Sequence, residues 1–196
     1  MNTGIKYYLG AYNLTAFVFW VLYLVFFIAS GFQLNSFNLL LLNIAQGLAF
    51  LEIIHAIFKW VKSPVLSTIA QVSSRLLVLV LINIFIKDES LQSIVKIGVI
   101  IVSAAWGITE MVRYSLYFLS LLNKQPGWLL WMRYSLFIAL YPTGVTGEWI
   151  IIAAPLIAHG ISLNLYNTLV AVLAVSYVYY FPVLYKYMWK QRSLKL

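Results

Sequence analysis

The sequence predicts an all-α polytopic membrane protein, with six transmembrane helices in one bundle and both termini in the cytosol. Three observations carry this. Of 196 residues, 63% are hydrophobic and only 9% are charged, too little polar surface for a water-soluble domain of this size. Six apolar stretches follow one another, each close to the ~20 residues that a spanning helix needs. The loop charges are lopsided. Lys6, Lys59, Lys62, Lys124, Lys186, Lys190, Arg192 and Lys195 fall on one side, while Lys87 and Lys96 fall on the other beside Asp88 and Glu89. The positive-inside bias places the first group in the cytosol.

The first stretch runs roughly from Tyr12 to Phe32 and closes on Ser30 and Gly31. The second runs from about Phe37 to Phe58, ahead of Lys59 and Lys62. Pro64 opens the third, which reaches about Ile86 before Lys87, Asp88 and Glu89. The fourth spans about Ile94 to Leu121. The fifth spans about Leu129 to Ala154, with Pro142 inside it, and the sixth about Leu163 to Tyr185. Trp60, Trp128, Trp131, Trp189 and several Tyr lie near stretch ends, where amphipathic rings anchor at the membrane interface. No polar segment is long enough for a second domain, so residues 1–196 read as one unit. The start, MNTGIKYYLGAYN, lacks the basic-apolar-small pattern of a cleavable signal peptide.

Composition also excludes functions. The chain has no Cys, which removes disulfides, thiolate metal sites and every cysteine nucleophile, including that of cysteine-dependent phosphatases. His55 and His159 are too few and too far apart for a metal cluster, so no metal is expected. The net charge of +8 is spread over loop ends with no soluble basic face. It suits membrane orientation and an anionic head group, not nucleic acid.

Only five acids exist, and Glu52, Glu110 and Glu148 fall inside apolar stretches, as do Arg75 and Arg113. Charged groups there are expensive, so they are expected to point inward and to carry function by default. Glu110 and Arg113 are spaced i,i+3 and can pair on one helix face. Such a pair could equally well do no more than fix helix packing. Glu52 and His55 share that spacing and read best as a structural hydrogen-bonded pair. Arg75, one turn from Gln71, either satisfies an acid on another helix or binds substrate. Asn43, Gln46, Gln71 and Asn83 extend the expected polar network between helices. His159 reads as a loop residue.

The segment RYSLFIALYPTGVTGE, Arg133 to Glu148, is the most informative. Tyr141 and Glu148 are seven residues apart, nearly two turns, and so share a face. Pro142 disturbs the turn before it, and Gly144 and Gly147 admit close approach by substrate or helix. No Lys or Arg lies within four residues of Glu148, so it is neutral, paired across helices or facing water. A phenol and a carboxylate suffice for proton-transfer chemistry. A Pro kink with a merely packed Tyr is the plainer alternative, but it leaves the Glu unexplained.

Five ordered motifs then resemble one family across nearly the whole chain. They are Tyr12-Asn13, LEIIHA at Leu51 to Ala56, SPVLSTIAQVSSR at Ser63 to Arg75, AWGITEMVRYSLY at Ala105 to Tyr117, and RYSLFIALYPTGVTGE. The chain resembles the 3-hydroxyacyl-CoA dehydratases of very-long-chain fatty-acid elongation, once labelled protein tyrosine phosphatase-like. The resemblance implies a six-helix enzyme of the endoplasmic reticulum membrane. It would convert (3R)-3-hydroxyacyl-CoA to trans-2-enoyl-CoA, the third step of each elongation cycle. It puts the catalytic pair on Tyr141 and Glu148 and supporting roles on Arg75, Glu110, Arg113 and Gly144. It implies membrane lipid and the other elongation enzymes as partners: elongase, ketoacyl-CoA reductase and enoyl-CoA reductase. The tail KQRSLKL departs from the dilysine retrieval signal of some members.

The implied chemistry needs a base, an acid and a partner for charge on the thioester oxygen. Glu148 serves as base and Tyr141 as donor to the departing hydroxyl. The roles can be exchanged, and Glu148 can in principle make both transfers. Counted along a straight helix from Arg133, Tyr141 lies about 12 Å in and Glu148 about 22 Å in. A long thin handle such as pantetheine reaches that depth. The coenzyme A phosphates would then stay at the mouth, near Lys59, Lys62, Lys124 and Lys186. No cofactor is required. A proton-coupled transporter and a non-catalytic membrane adaptor are the rivals. The chain shows neither the internal repeats nor the paired broken helices of the former.

Overall fold

The computed structural model describes residues 2–161 and 165–196. The described residues form helices and connecting turns, with no strand. In chain order the helices are α1 (Thr3–Ala29), α2 (Ser36–Gly47), α3 (Phe50–Ile57), α4 (Val65–Phe85), α5 (Glu89–Leu121), α6 (Gly127–Ser135), α7 (Phe137–Ile152), α8 (Ala154–His159) and α9 (Leu165–Lys195). Five spans are long and apolar enough to cross a membrane: α1, α2 with α3, α4, α5 and α9. A sixth is made by α6 with α7 if that pair, bent by 44°, counts as one. The protein is therefore a multi-pass membrane protein. The expected start of the sixth stretch at Leu163 lies outside the described residues.

Burial is distributed as lipid requires. Large apolar side chains stand outward on the helices, Val25, Leu66, Ile84, Val175 and Val178 among them. Asn13, Asn38, Gln46, His55, Ser103, Glu110 and Glu148 are buried inside. In hydrocarbon an apolar side chain can face either way, whereas a polar group gains by turning inward. The central helix is α5. It begins at Glu89, five residues earlier than the hydropathy suggests, because Asp88 caps it. Asp88 Oδ1 accepts the Ser90 N–H at 2.9 Å and the Ser90 hydroxyl at 2.6 Å, which holds its carboxyl below the ordinary value. α1 also starts earlier than its apolar run, at Thr3, where the Asn2 side chain accepts from Gly4 N.

Contacts between helix ends show how the chain runs back and forth. Tyr8 meets His55 and Trp60 at one end, and Tyr12 meets Tyr114 just inside it. Phe85 meets Tyr166 and Ser90 meets His159 at the other. α7 lies along α5, and glycine sets that approach. A Cβ on Gly147 would sit 2.8 Å from Val102 Cγ1 and 3.0 Å from the Gly98 carbonyl. A Cβ on Gly98 would in turn sit 3.0 Å from the Gly147 carbonyl. Only a pair of residues without side chains allows the two backbones this close.

Two breaks shape the site. Between α2 and α3 the bonds tighten to i−3 steps: Ala49 N to Gln46 O, Leu51 N to Leu48 O and Glu52 N to Ala49 O. The Tyr12 hydroxyl also donates to the Leu48 carbonyl, at 3.1 Å. The second break falls at Leu136, six residues before Pro142. Proline has no N–H to offer the carbonyl four residues earlier, Ile138 O, and the Tyr185 hydroxyl donates to it instead at 3.3 Å. The bend corrects the straight-helix depths reckoned from Arg133, since Arg133 and Tyr141 belong to differently directed helices.

Candidate functional site

Four charged side chains meet between α3, α4 and α5. Arg113 Nε donates to Glu110 Oε2 at 2.8 Å, and its Nη2 pairs with the same oxygen. Arg113 Nη1 and Nη2 each donate to Glu52, at 2.5 Å. Arg75 reaches across from α4 to pair with Glu110 Oε1. Two guanidinium groups and two carboxylates balance, and the phenols of Tyr114 (2.7 Å) and Tyr12 (3.3 Å) donate to Glu52 Oε1 as well. The ring of Tyr114 also lies 4.5 Å from the Arg113 guanidinium carbon.

The i,i+3 pairing of Glu110 with Arg113 is as the spacing predicts, and Arg75 satisfies an acid on another helix. The expected Glu52–His55 pair does not form. Arg113 on α5 takes Glu52 instead, while His55 Nε2 lies 3.0 Å from the Tyr8 hydroxyl and the His55 ring stacks on Trp60. The polar network between helices is confirmed at Asn43 and Asn83, which exchange amide bonds of 3.0 and 2.8 Å. Gln46 is buried, yet neither of its amide atoms has a partner among the described residues. Gln71 is exposed on α4 and lies outside the network. His159 ends α8 and is not a loop residue.

Glu148 sits beyond this cluster on α7, 8% exposed. Its partners come from two other helices. Trp106 Nε1 on α5 donates to Oε1 at 3.0 Å, and the Tyr177 hydroxyl on α9 donates to Oε2 at 2.7 Å. Of the three alternatives left by the lack of a nearby base in sequence, the structure shows partners across helices, and these are neutral rings and not a cation. The Arg75 guanidinium lies 5.5 Å from the centre of the Trp106 ring, so Trp106 stands between the charged cluster and Glu148. Among the described residues, Glu148 is the one buried acid without an ion-pair partner.

Tyr141 turns toward α9, as Glu148 does. Its ring stacks on Phe181 at 5.0 Å and on Tyr185 at 6.2 Å. Its hydroxyl has no hydrogen-bond partner among the described residues. Gly144, between them, faces Ala105 and Trp106, and a Cβ there would meet Ala105 Cβ at 3.4 Å, an ordinary contact. Lys59, Lys62, Lys124 and Lys186 are exposed, in the α3–α4 loop, in the α5–α6 loop and on α9. The back-and-forth path puts all four at the end of the bundle that carries Tyr8 and Trp60. None of the four pairs with an acid among the described residues.

Sequence reasoning missed Trp106 and Tyr177. Tyr177, Phe181 and Tyr185 recur every four residues, a stripe on one helix face. Tyrosines near the helix ends read as membrane anchors, and that hid the pattern.

These features define an all-helical membrane protein with a buried carboxylate held by neutral donors beside a charge-balanced cluster. The family model described as protein tyrosine phosphatase-like protein, PTPLA, matches residues 46–196, and the chain belongs to that family. It is 36% identical to very-long-chain (3R)-3-hydroxyacyl-CoA dehydratase 2 of Mus musculus, over 94% of this chain and 79% of the relative. It is 38% identical to very-long-chain (3R)-3-hydroxyacyl-CoA dehydratase hpo-8 of Caenorhabditis elegans, over 97% and 94%. It is 34% identical to the dehydratase PASTICCINO 2 of Arabidopsis thaliana, over 97% and 93%. No solved structure matches the chain.

Proposed function

We propose that this protein is a hydro-lyase that dehydrates (3R)-3-hydroxyacyl-CoA to trans-2-enoyl-CoA in very-long-chain fatty-acid elongation. Relatives named for that activity align over nearly all of the chain. The structural observation that carries the reading is the contrast among the buried acids. Glu52 and Glu110 have their lone pairs committed to guanidinium groups, whereas Glu148 is shared only with an indole and a phenol. A carboxylate paired with a fixed cation is favoured in its charged form and is a weaker base than one held by neutral donors.

In this mechanism Glu148 removes a proton from the carbon next to the thioester. The electron pair left behind forms the carbon–carbon double bond, and the 3-hydroxyl departs as water with the proton of Tyr141. Tyr141 suits the role because its hydroxyl is not already donating to a protein acceptor among the described residues. Arg75, Glu110 and Arg113 order the helices around the site, and Gly144 leaves space beside Trp106. The coenzyme A phosphates rest at the Lys59, Lys62, Lys124 and Lys186 end, in contact with the cytosol. The chain forms one six-span domain of the endoplasmic reticulum membrane, works beside the other elongation enzymes, and needs no cofactor.

Purified protein mixed with a 3-hydroxyacyl-CoA of long chain tests this. Enoyl-CoA formation is expected. A folded protein that forms none leaves a transporter or an adaptor as the better reading.

A further inference from the structure

One stripe of α9 contacts both candidate catalytic side chains of α7. Phe181 and Tyr185 stack against the Tyr141 ring, and one turn earlier Tyr177 donates to Glu148. The Tyr177 ring is itself braced edge-on by Trp149, with 5.4 Å between ring centres. Glu148 is thus gripped at both oxygens by rigid rings on two different helices, Trp106 holding Oε1 and Tyr177 holding Oε2. Two such bonds fix the plane of a carboxylate, where one would leave it free to turn about its last bond. We propose that Tyr177 is a positioning residue for this reaction, orienting the Glu148 carboxylate toward the substrate carbon through its 2.7 Å hydrogen bond. This rests on the reading of Glu148 as the base. Tyr177 is not a second proton donor, since its own proton is committed to Glu148. The two phenols differ in their contacts: Tyr177 is bonded to Glu148, whereas the Tyr141 ring is stacked by Phe181 and Tyr185 and its hydroxyl is left for the substrate.

The test is Tyr177→Phe, which removes one oxygen, measured by kinetics and by infrared spectroscopy. With only five acids in the chain, the Glu148 carboxylate band can be assigned by its loss in Glu148→Gln. Tyr177→Phe is expected to shift that band, to lower kcat by about tenfold or more, and to leave KM within about twofold, because a hydrogen bond to a charged group is lost and substrate contacts are not. It is expected to add nothing further in the Glu148→Gln background, because it acts through that residue. An unchanged kcat overturns the inference whether or not the band moves. So does an equal fold-loss in both backgrounds, which marks a general loss of packing. Should the phenylalanine protein fail to fold, difluorotyrosine at 177 keeps the ring and alters only the donor. An unmoved band and unmoved kcat there overturn the inference too. Full turnover by Glu148→Gln is a different failure, that of the base assignment itself, and this proposal falls with it.

Discussion

Replacing Arg113 by Met keeps the aliphatic stem and removes the charge. The structure says what is stranded. Glu110 keeps Arg75, but Glu52 is left with only the phenols of Tyr114 and Tyr12, and the balance of two cations and two anions is lost. Removing one partner of a buried pair costs about 3–5 kcal/mol. Glu52 retains 16% exposure of its side chain, which points to the lower end, about 3 kcal/mol. Arg75→Met leaves Glu110 bonded to Arg113, so its cost is that of one charged hydrogen bond, about 1.5–3 kcal/mol. The order of damage is therefore Arg113 first, Arg75 second. Pairing Glu52→Gln with Arg113→Met restores neutrality and should recover at least half of the loss. The assay is thermal melting in detergent, where Arg113→Met should fall on the order of 10 °C. An Arg113→Met protein as stable as wild type, or less harmed than Arg75→Met, refutes the argument that Glu52 depends on Arg113 for its charge partner.

Gly147→Ala should lower the melting temperature and the turnover together, because its Cβ would collide with Val102, Ile101 and the Gly98 backbone; a cost of about 1–3 kcal/mol is expected. Gly144→Ala meets nothing closer than 3.4 Å, so it should melt like wild type while raising KM; unchanged kinetics would remove Gly144 from the substrate path. Neutralising Lys59, Lys62 and Lys124 together should raise KM more than it lowers kcat and flatten the dependence of KM on salt. In sealed vesicles of native orientation, activity should not need detergent, and a strict detergent requirement would place the basic end on the wrong side.

The helical membrane architecture is legible in the sequence because lipid leaves so few alternatives. Apolar stretches of spanning length have to become helices, and buried charges have to find partners. Local pairings were readable in the same way, as with Glu110 and Arg113. What escaped depends on which helices meet and on where a break falls. Glu52 and His55 keep their spacing within α3, but Arg113 on α5 takes the first and Tyr8 on α1 the second, and spacing along one helix cannot report that. The bend at Leu136 falls six residues from the proline that marks it in sequence. Gln71 lies one turn before Arg75 on α4 but stays exposed, while Arg75 pairs with Glu110 on α5. Tyr177 was visible only as one tyrosine among 14, and its role appears once α9 is laid against α7.

The central claim is that Glu148 and Tyr141 carry the proton chemistry. Glu148→Gln and Tyr141→Phe each keep size and shape, and their turnover of a long-chain (3R)-3-hydroxyacyl-CoA should be compared with wild type at matched melting temperature. Each variant should remain folded and lose on the order of 10²-fold or more in kcat. Near-wild-type turnover in either one contradicts the account for that residue.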